Sequence, residues 1–304
     1  MTEYGKWAEQ LTFDGEVFGA DIVDAQYARC AGFDKIYAVN GLPQNYTDDL
    51  MRMAQVSDVP HSWRVKECKS LDEVTPEILA LGREELARDR ADYHANVITY
   101  FGEKAGNRLT FLAAGAVRDK LSRDFENKAF PVFSRIIVAP VQRNKGLGGL
   151  AVDHLIKILL NNYYGVKPKA IHFGTESEKI LHSVEKTERE EDIKFVYIGD
   201  EILSTRDGDH TMHDFLCFTP WFQQEITAAC GSLESHANSA LLDRFKRDLV
   251  RFMQYGVKAV SGDNLEKLFN DLRNSAKATA PADALASLAD VFTVRNKIGA
   301  RDPR

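Results

Sequence analysis

Cysteine is scarce in this sequence: four residues in 304, at Cys30, Cys68, Cys217 and Cys230, with no C-x-x-C pair among them. Spacing that irregular excludes a disulfide framework and a cysteine zinc site, and fits reduced structural thiols. No apolar run approaches the ~20 residues that a bilayer-spanning helix needs, and the opening MTEYGKWAEQ has no apolar signal core. The expectation is a cytoplasmic protein with no membrane partner. Nor is there a basic excess: 39 Lys and Arg face 45 Asp and Glu, for a formal net charge of -6. Phosphate-backbone binding needs a concentrated cationic face, so nucleic acid is not an expected partner. The chain also lacks internal repeats and low-complexity tracts. What is present, 44% hydrophobic and 28% charged residues, has the balance of a folded globular chain.

Three regions are expected. Residues 1–60 read as an ordered N-terminal extension, with a short helix in ADIVDAQYARC, a strand in DKIYAV and a turn-rich exit in NGLPQNY. Residues 61–222 carry a regular pattern. WRVKEC alternates as a strand should, and Thr75 precedes a helix whose first residue, Pro76, has no N–H to leave unpaired. NVITYFGEK and RLTFLAAGAV flank AGN as a hairpin, and FPVFSRIIVA, KAIHFGT, IKFVYIG and HDFLCFTPW read as further strands. Helices are expected after FPVFSRIIVA and in SEKILHSVEK. The order predicts an α/β fold with a mixed central sheet and flanking helices. In residues 223–304, Leu242, Phe245, Leu249 and Phe252 recur at helical spacing, as do Leu265, Leu268, Phe269 and Leu272. Asp263 with Glu266 resembles a capping box. This helical C-terminal extension is expected to pack on the 61–222 domain or, alternatively, to join a homo-oligomer.

The most informative stretch is IIVAPVQRNKGLGGLAVDHLIKILL, residues 136–160. Gly146, Gly148 and Gly149 fall where a strand becomes a helix. Glycine permits close backbone approach, and the first N–H groups of a helix lack internal partners and sit at the positive end of its dipole. Arg143 and Lys145 add charge. The turn is therefore expected to hold a phosphorylated ligand. A Walker loop, G-x-x-x-x-G-K-[ST], is absent. Gly146, Gly148 and Ala151 formally match G-x-G-x-x-G/A. In that fingerprint, however, the strand runs almost directly into the first glycine, whereas Ala139 to Lys145 intervene here.

The segment resembles the GNAT superfamily of acyl-CoA-dependent N-acyltransferases. The family's signature is a strand ending in valine, often a proline two residues on, then [QR]-x-x-G-x-[GA] opening a helix. Here those places are Val138, Pro140 and Arg143-Asn144-Lys145-Gly146-Leu147-Gly148. The predicted element order from Trp63 to Trp221 also matches that family's sheet. The resemblance implies acetyl-CoA, or another short acyl-CoA, as co-substrate, with no metal, and a small-molecule or protein amine as acceptor that attacks the thioester directly. It implies that Arg143, Asn144, Lys145, Gly146, Leu147, Gly148 and Gly149 hold the pyrophosphate. It places Ile136 and Val138 along the pantetheine arm and makes the Val138 N–H the oxyanion donor.

The proton path departs from the family's pattern. Relatives carry an acidic tyrosine on the helix after the next strand; TESEKILH puts His182 in that place, and a histidine can donate the proton. The usual base positions are occupied by Val132 and Ser134, of which Ser134 can order a water wire. Glu126, Asp124 and His94 lie on segments able to reach the cleft. These departures favour a second reading, a GNAT-fold structural or regulatory protein that binds CoA without turnover. A further alternative is an acyltransferase served by acyl carrier protein, against which the chain's own negative balance argues. Elsewhere, His210 and His213, three apart on a strand, point to opposite faces and do not suit a shared metal. His172, in a strand next to the expected cleft, reads as a satisfied core histidine, with contact to the acceptor as the alternative.

Overall fold

A computed structural model describes residues 7–298 apart from 24–27, 30, 59–60, 105–107, 123–124, 127–129, 162–166 and 207. Strands β1 (Glu9–Phe13) and β2 (Glu16–Ile22) form a hairpin across Asp14 and Gly15, both at positive φ, 47° and 87°. Asp-Gly is a preferred pair for a two-residue hairpin turn. The helix expected over residues 20–30 does not include the first three of them, and residues 24–27 lie outside the described residues. Ala20 and Ile22 belong to β2, paired with Val39 and Tyr37 of β3 (Lys35–Asn40), so sheet pairing overrides local helix propensity. Cys30 lies outside the described residues.

The sheet continues through β4 (Asn96–Lys104) and β5 (Arg108–Arg118). After a separate ribbon of β6 (Lys120–Ser122) and β7 (Phe125–Glu126), it adds β8 (Val132–Val138), β9 (Ala170–Thr175), β10 (Phe195–Thr205) and β11 (Gly208–Phe218). Its order is β1-β2-β3-β4-β5-β8-β9-β11-β10. Neighbours are antiparallel except β8 and β9, which are parallel. The mixed α/β sheet predicted from the element order is present, and the first sixty residues add three strands to one edge of it.

Alternate residues of each strand feed opposite layers. On one face Phe133, Phe173 and Phe195 pack under helices α3 (Leu147–Leu160) and α4 (Glu178–Glu191) through Leu150, Leu155, Ile156 and Val184. The other face is covered in two halves. Helices α1 (Thr47–Gln55) and α2 (Pro76–Tyr93) lie over Val97, Ala114 and Ile137. Helices α5 (Pro220–Ser232), α6 (Ser239–Tyr255), α7 (Gly262–Ser275) and α8 (Ala282–Ile298) lie over Val132, Val196, Leu216 and Phe218. Leu242, Phe245, Leu249, Phe252, Leu265, Leu268, Phe269 and Leu272 are all buried in that layer. The apolar stripes that suggested an oligomer through these helices are thus covered by the chain's own sheet and neighbouring helices. Ser261 is the N-cap of α7, so Asp263 lies in the first turn rather than at the cap.

Thr75 caps α2 as expected, its Oγ1 accepting from the Ile78 N–H at 3.4 Å. The strand expected at 63–68 is instead irregular chain. Trp63 and Val65 are buried there, and the fully buried Gln55 side chain replaces the missing strand neighbour. Its Nε2 donates to the Trp63 carbonyl at 2.8 Å and its Oε1 accepts from the Val65 N–H at 2.9 Å. Alternation in this hexapeptide reflects wedging between α1 and α2, not sheet pairing.

Candidate active site

The parallel strands β8 and β9 meet at Val132 and His172, and the His172 N–H donates to the Pro131 carbonyl at 3.1 Å. No further register pair joins them among the described residues, so past this point the seam is open. A bulge shapes the β8 side. Pairing with β5 shifts from Ala116↔Ser134 to Ala114↔Ile137, leaving Arg135 and Ile136 opposite Gly115. Arg135 takes φ 57°, a left-handed conformation a non-glycine residue adopts only where its surroundings impose it. A Cβ on Gly115 would lie 2.6 Å from Leu155 Cδ1, so any side chain there would have to displace Leu155. Beyond the bulge the Ala139 N–H donates to the Leu112 carbonyl at 2.8 Å, flanking the Ala113↔Val138 pair. Backbone alternation then turns the N–H and C=O of Val138 away from β5, toward the seam.

At its outer end the seam widens into a cavity of about 300 Å³. The chain leaves β8 through a single 3₁₀ turn, Pro140–Gln142, and reaches the helix through Asn144 and Gly146, at φ 63° and 82°. Gly146 is the N-cap of α3, with no side-chain cap, and the Leu150 N–H makes the helical bond to its carbonyl at 2.9 Å. The amides of Leu147, Gly148 and Gly149 precede that bond, and all three residues line the cavity with Ile136, Val138, Arg143 and Asn144. A Cβ on Gly149 would sit 3.1 Å from Ser183 Oγ, whereas one on Gly148 would meet only Val138 Cγ2, at 3.8 Å. Arg143 reaches across to Asp58 at 3.0 Å, tying the turn to the segment after α1. Lys145 lies outside the lining and donates to Gln142 Oε1 at 2.9 Å. Sequence reasoning missed Lys179 and Ser183, which bring a cation and a hydroxyl from α4. Bare helix amides plus a cation suit a diphosphate.

The seam's inner end is a second cavity of about 90 Å³. Ile136 and Ile180 line both cavities, so the two form one cleft. Its polar lining is His61, Arg118, Ser134, Arg135 and Thr175. His61 is buried on the irregular segment held by Gln55, its ring edge-on to Trp63. Arg118 and Arg135 share one buried carboxylate, Asp89 of α2: Arg118 Nη2 bonds Oδ1, and Arg135 Nε lies 3.4 Å from Oδ2. The Arg118 guanidinium also lies 4.5 Å from the Tyr93 ring centroid, and that of Arg135 5.8 Å from Trp63. Arg135 Nη1 donates to Ser134 Oγ at 2.9 Å.

Of the two catalytic residues expected from sequence, only Ser134 lines the cleft. His182 is on α4, but its side chain is 82% exposed and 3.4 Å from Glu185, while Ile180 and Ser183 of the same helix face the cleft. The structure therefore does not bring His182 together with Ser134. His94 terminates α2 in a left-handed conformation, Glu126 lies in β7, and Asp124 lies outside the described residues. His172 is fully buried with Nε2 2.9 Å from Asp214 Oδ1, as a core histidine would be. His213 pairs with Asp200 at 2.6 Å. Among the described residues no cluster of metal-ligating side chains occurs. His61, Arg118 and Arg135 were missed because their neighbourhood is assembled from a loop, a strand end and a bulge, none of which has a local signature.

A parallel pair of strands opens beside a glycine turn, and the first residues of the helix that the turn begins line the opening. The fold is GNAT-like. No family model matches the sequence, and no curated protein matches it. Solved structures do. A mutant of the spermidine N-acetyltransferase SpeG from Vibrio cholerae is 13% identical, with a TM-score of 0.36 over 60% of this chain and 92% of that one. A ribosomal-protein-alanine N-acetyltransferase from Brucella melitensis is also 13% identical, with a TM-score of 0.38 over 60% and 99% of the two chains. A microcin self-immunity acetyltransferase, MccE, solved with acetyl-CoA and AMP, is 9% identical, with a TM-score of 0.39 over 61% and 93%.

Proposed function

We propose that the protein transfers an acetyl or other short acyl group from acyl-CoA to an amine. The observation that carries this reading is the continuity of the cleft: bare helix amides at one end, an open strand edge between, and a buried histidine with a serine at the other. The turn from Arg143 to Gly149, with Lys179, holds the diphosphate. The strand edge at Ile136 and Val138 receives the amide-bearing arm as an added strand. That alignment leads the thioester toward Ser134 and His61.

The bound acyl-CoA supplies an acyl carbon activated by its thiol leaving group. The acceptor enters as an ammonium and must lose a proton to attack. His61, facing the inner cavity, takes that proton; Ser134, whose Oγ accepts from Arg135, orders water beside it. The Val138 N–H, turned to the seam, meets the charge that develops on the carbonyl oxygen. One C–N bond forms, the C–S bond breaks and the departing thiolate takes up a proton. The net reaction is thioester plus ammonium giving amide, free thiol and one proton.

The test is thermal stabilisation by acetyl-CoA, followed by thiol release in the presence of an amine panel. Stabilisation with release supports transfer. Stabilisation without release on any amine identifies a CoA-binding protein that does not turn over, and absence of both overturns the reading.

A further inference from the structure

We infer that the acceptor is a small amine that also carries a carboxylate, of the class of apolar α-amino acids, and that Arg135 and Arg118 receive its carboxylate. This deepens the acyltransfer reading and rests on it for the position of the amine.

The inner cavity has a specific chemistry. Its charged lining residues, among those described, are two arginines, and no carboxylate lines it. An acceptor with several cationic groups would enter against that charge. Both guanidiniums are buried, with side-chain exposures of 9% for Arg118 and 7% for Arg135. Arg118 is fixed on Asp89, and Arg135 on Asp89 and, through Nε and Nη2, on Ser62 Oγ, while Nη1 donates to Ser134 Oγ. They are therefore preorganised forks rather than mobile surface charges, and a planar fork matches a carboxylate in two parallel hydrogen bonds.

The backbone supplies an independent reason. Arg135 occupies the β8 bulge at φ 57°, opposite Gly115. Bulges re-aim a side chain, and a residue held in a sparsely populated conformation points to function. Ile136, the other bulged residue, sits where the two cavities join. The bulge thus puts a guanidinium one residue from the junction to which the thioester is led. An amine and a carboxylate on the same carbon span that short interval. Apart from Thr175, whose Oγ1 accepts from the Ser177 N–H at 3.0 Å, the rest of the cavity wall, including Val132, Phe133, Phe173, Leu203 and Met212, has no polar side chain and suits an aliphatic or thioether group. In the reaction the amine nitrogen becomes an amide, the carboxylate is unchanged, the thiol is released, and one ammonium proton is lost.

The experiment uses the wild-type full chain. Calorimetry and thiol-release assays compare the twenty protein amino acids with decarboxylated partners such as 3-methylbutylamine for leucine and 3-(methylthio)propylamine for methionine. Acetyl-CoA is titrated alone in parallel. The inference expects an apolar amino acid to be favoured over its decarboxylated amine by at least about 10-fold in affinity or kcat/KM. The Arg135→Lys variant, which keeps the charge on Asp89 but loses the fork, should shrink that preference while leaving acetyl-CoA affinity within about twofold. Decarboxylated amines preferred or bound equally, or no amino acid bound at all, would overturn it. An amino-acid preference without acetyl-CoA binding would keep the carboxylate site and sink the acyltransfer reading; acetyl-CoA binding with turnover of plain amines alone would do the reverse.

Discussion

Val132 and His172 stand side by side in parallel register, and beyond them β8 and β9 part. The His172 ring is anchored in turn by Asp214 Oδ1 at 2.9 Å, and both residues are buried. Gly174 guards this contact, because a Cβ there would lie 2.7 Å from the same Asp214 oxygen. Gly174→Ala should push the carboxylate aside and lower stability by about 1–3 kcal/mol, the typical cost of disturbing a buried polar pair. Urea unfolding checks this; an unchanged midpoint would show the pair is not an anchor.

Gly148→Asp should abolish CoA binding. A Cβ at this position has space, with Val138 Cγ2 at 3.8 Å, so the fold should persist. The carboxylate, however, would enter the cavity where a diphosphate is expected to sit. Calorimetry with CoA should show affinity reduced by about 100-fold or more, with an unaltered melting temperature.

His61→Gln should lower kcat by about 10²–10⁴-fold, the usual range for a removed general base, and leave CoA affinity intact. His182→Ala, at an 82% exposed side chain, should change kcat by less than about twofold. Steady-state kinetics on the two variants separates the buried histidine from the one that sequence spacing singled out. A large loss at His182 with none at His61 would reverse the assignment.

Burial holds the His154 imidazole at about 4, well below its ordinary value, beside the Tyr100 hydroxyl at 3.2 Å. The unfolded chain binds this proton near pH 6.5 and the folded chain only near 4, so stability is complete above 6.5 and falls as pH drops from 6.5 to 4. The full loss is about 3 kcal/mol. Denaturant midpoints measured between pH 4 and 7 should flatten in His154→Gln; an equally steep variant would place the dependence elsewhere.

Periodicity carried the long elements, because one-sided burial writes itself into spacing. β4, β5, β8 and β9 and the C-terminal helices lie where alternation and helical repeats put them. The glycine turn was readable for the same reason: Gly146 to Gly149 concentrate a backbone requirement into consecutive letters. Two errors were tertiary. WRVKEC alternates, yet its partner is the Gln55 amide rather than a strand, and ADI enters β2 because β3 offers it a ladder. Most of the inner cavity was illegible because His61, Arg118 and Arg135 come from a loop, a strand end and a bulge; only Ser134 of its polar lining was read from sequence. His182 illustrates the opposite fault, since a position counted along a helix does not say which way that helix faces.

Lys169 enters β9 with its ammonium 2.8 Å from both Glu225 of α5 and Asp290 of α8, and Thr219 and Trp221 donate to the Pro168 carbonyl just before it. The final eighty residues are thereby riveted to the root of the strand that forms one jaw of the opening. Shortening the chain before Pro220 would not yield a leaner version of the same machine. It would bare Phe130, Leu216 and Phe218 to water and release the jaw from its mounting, so the aperture's width is inherited from helices that never approach it.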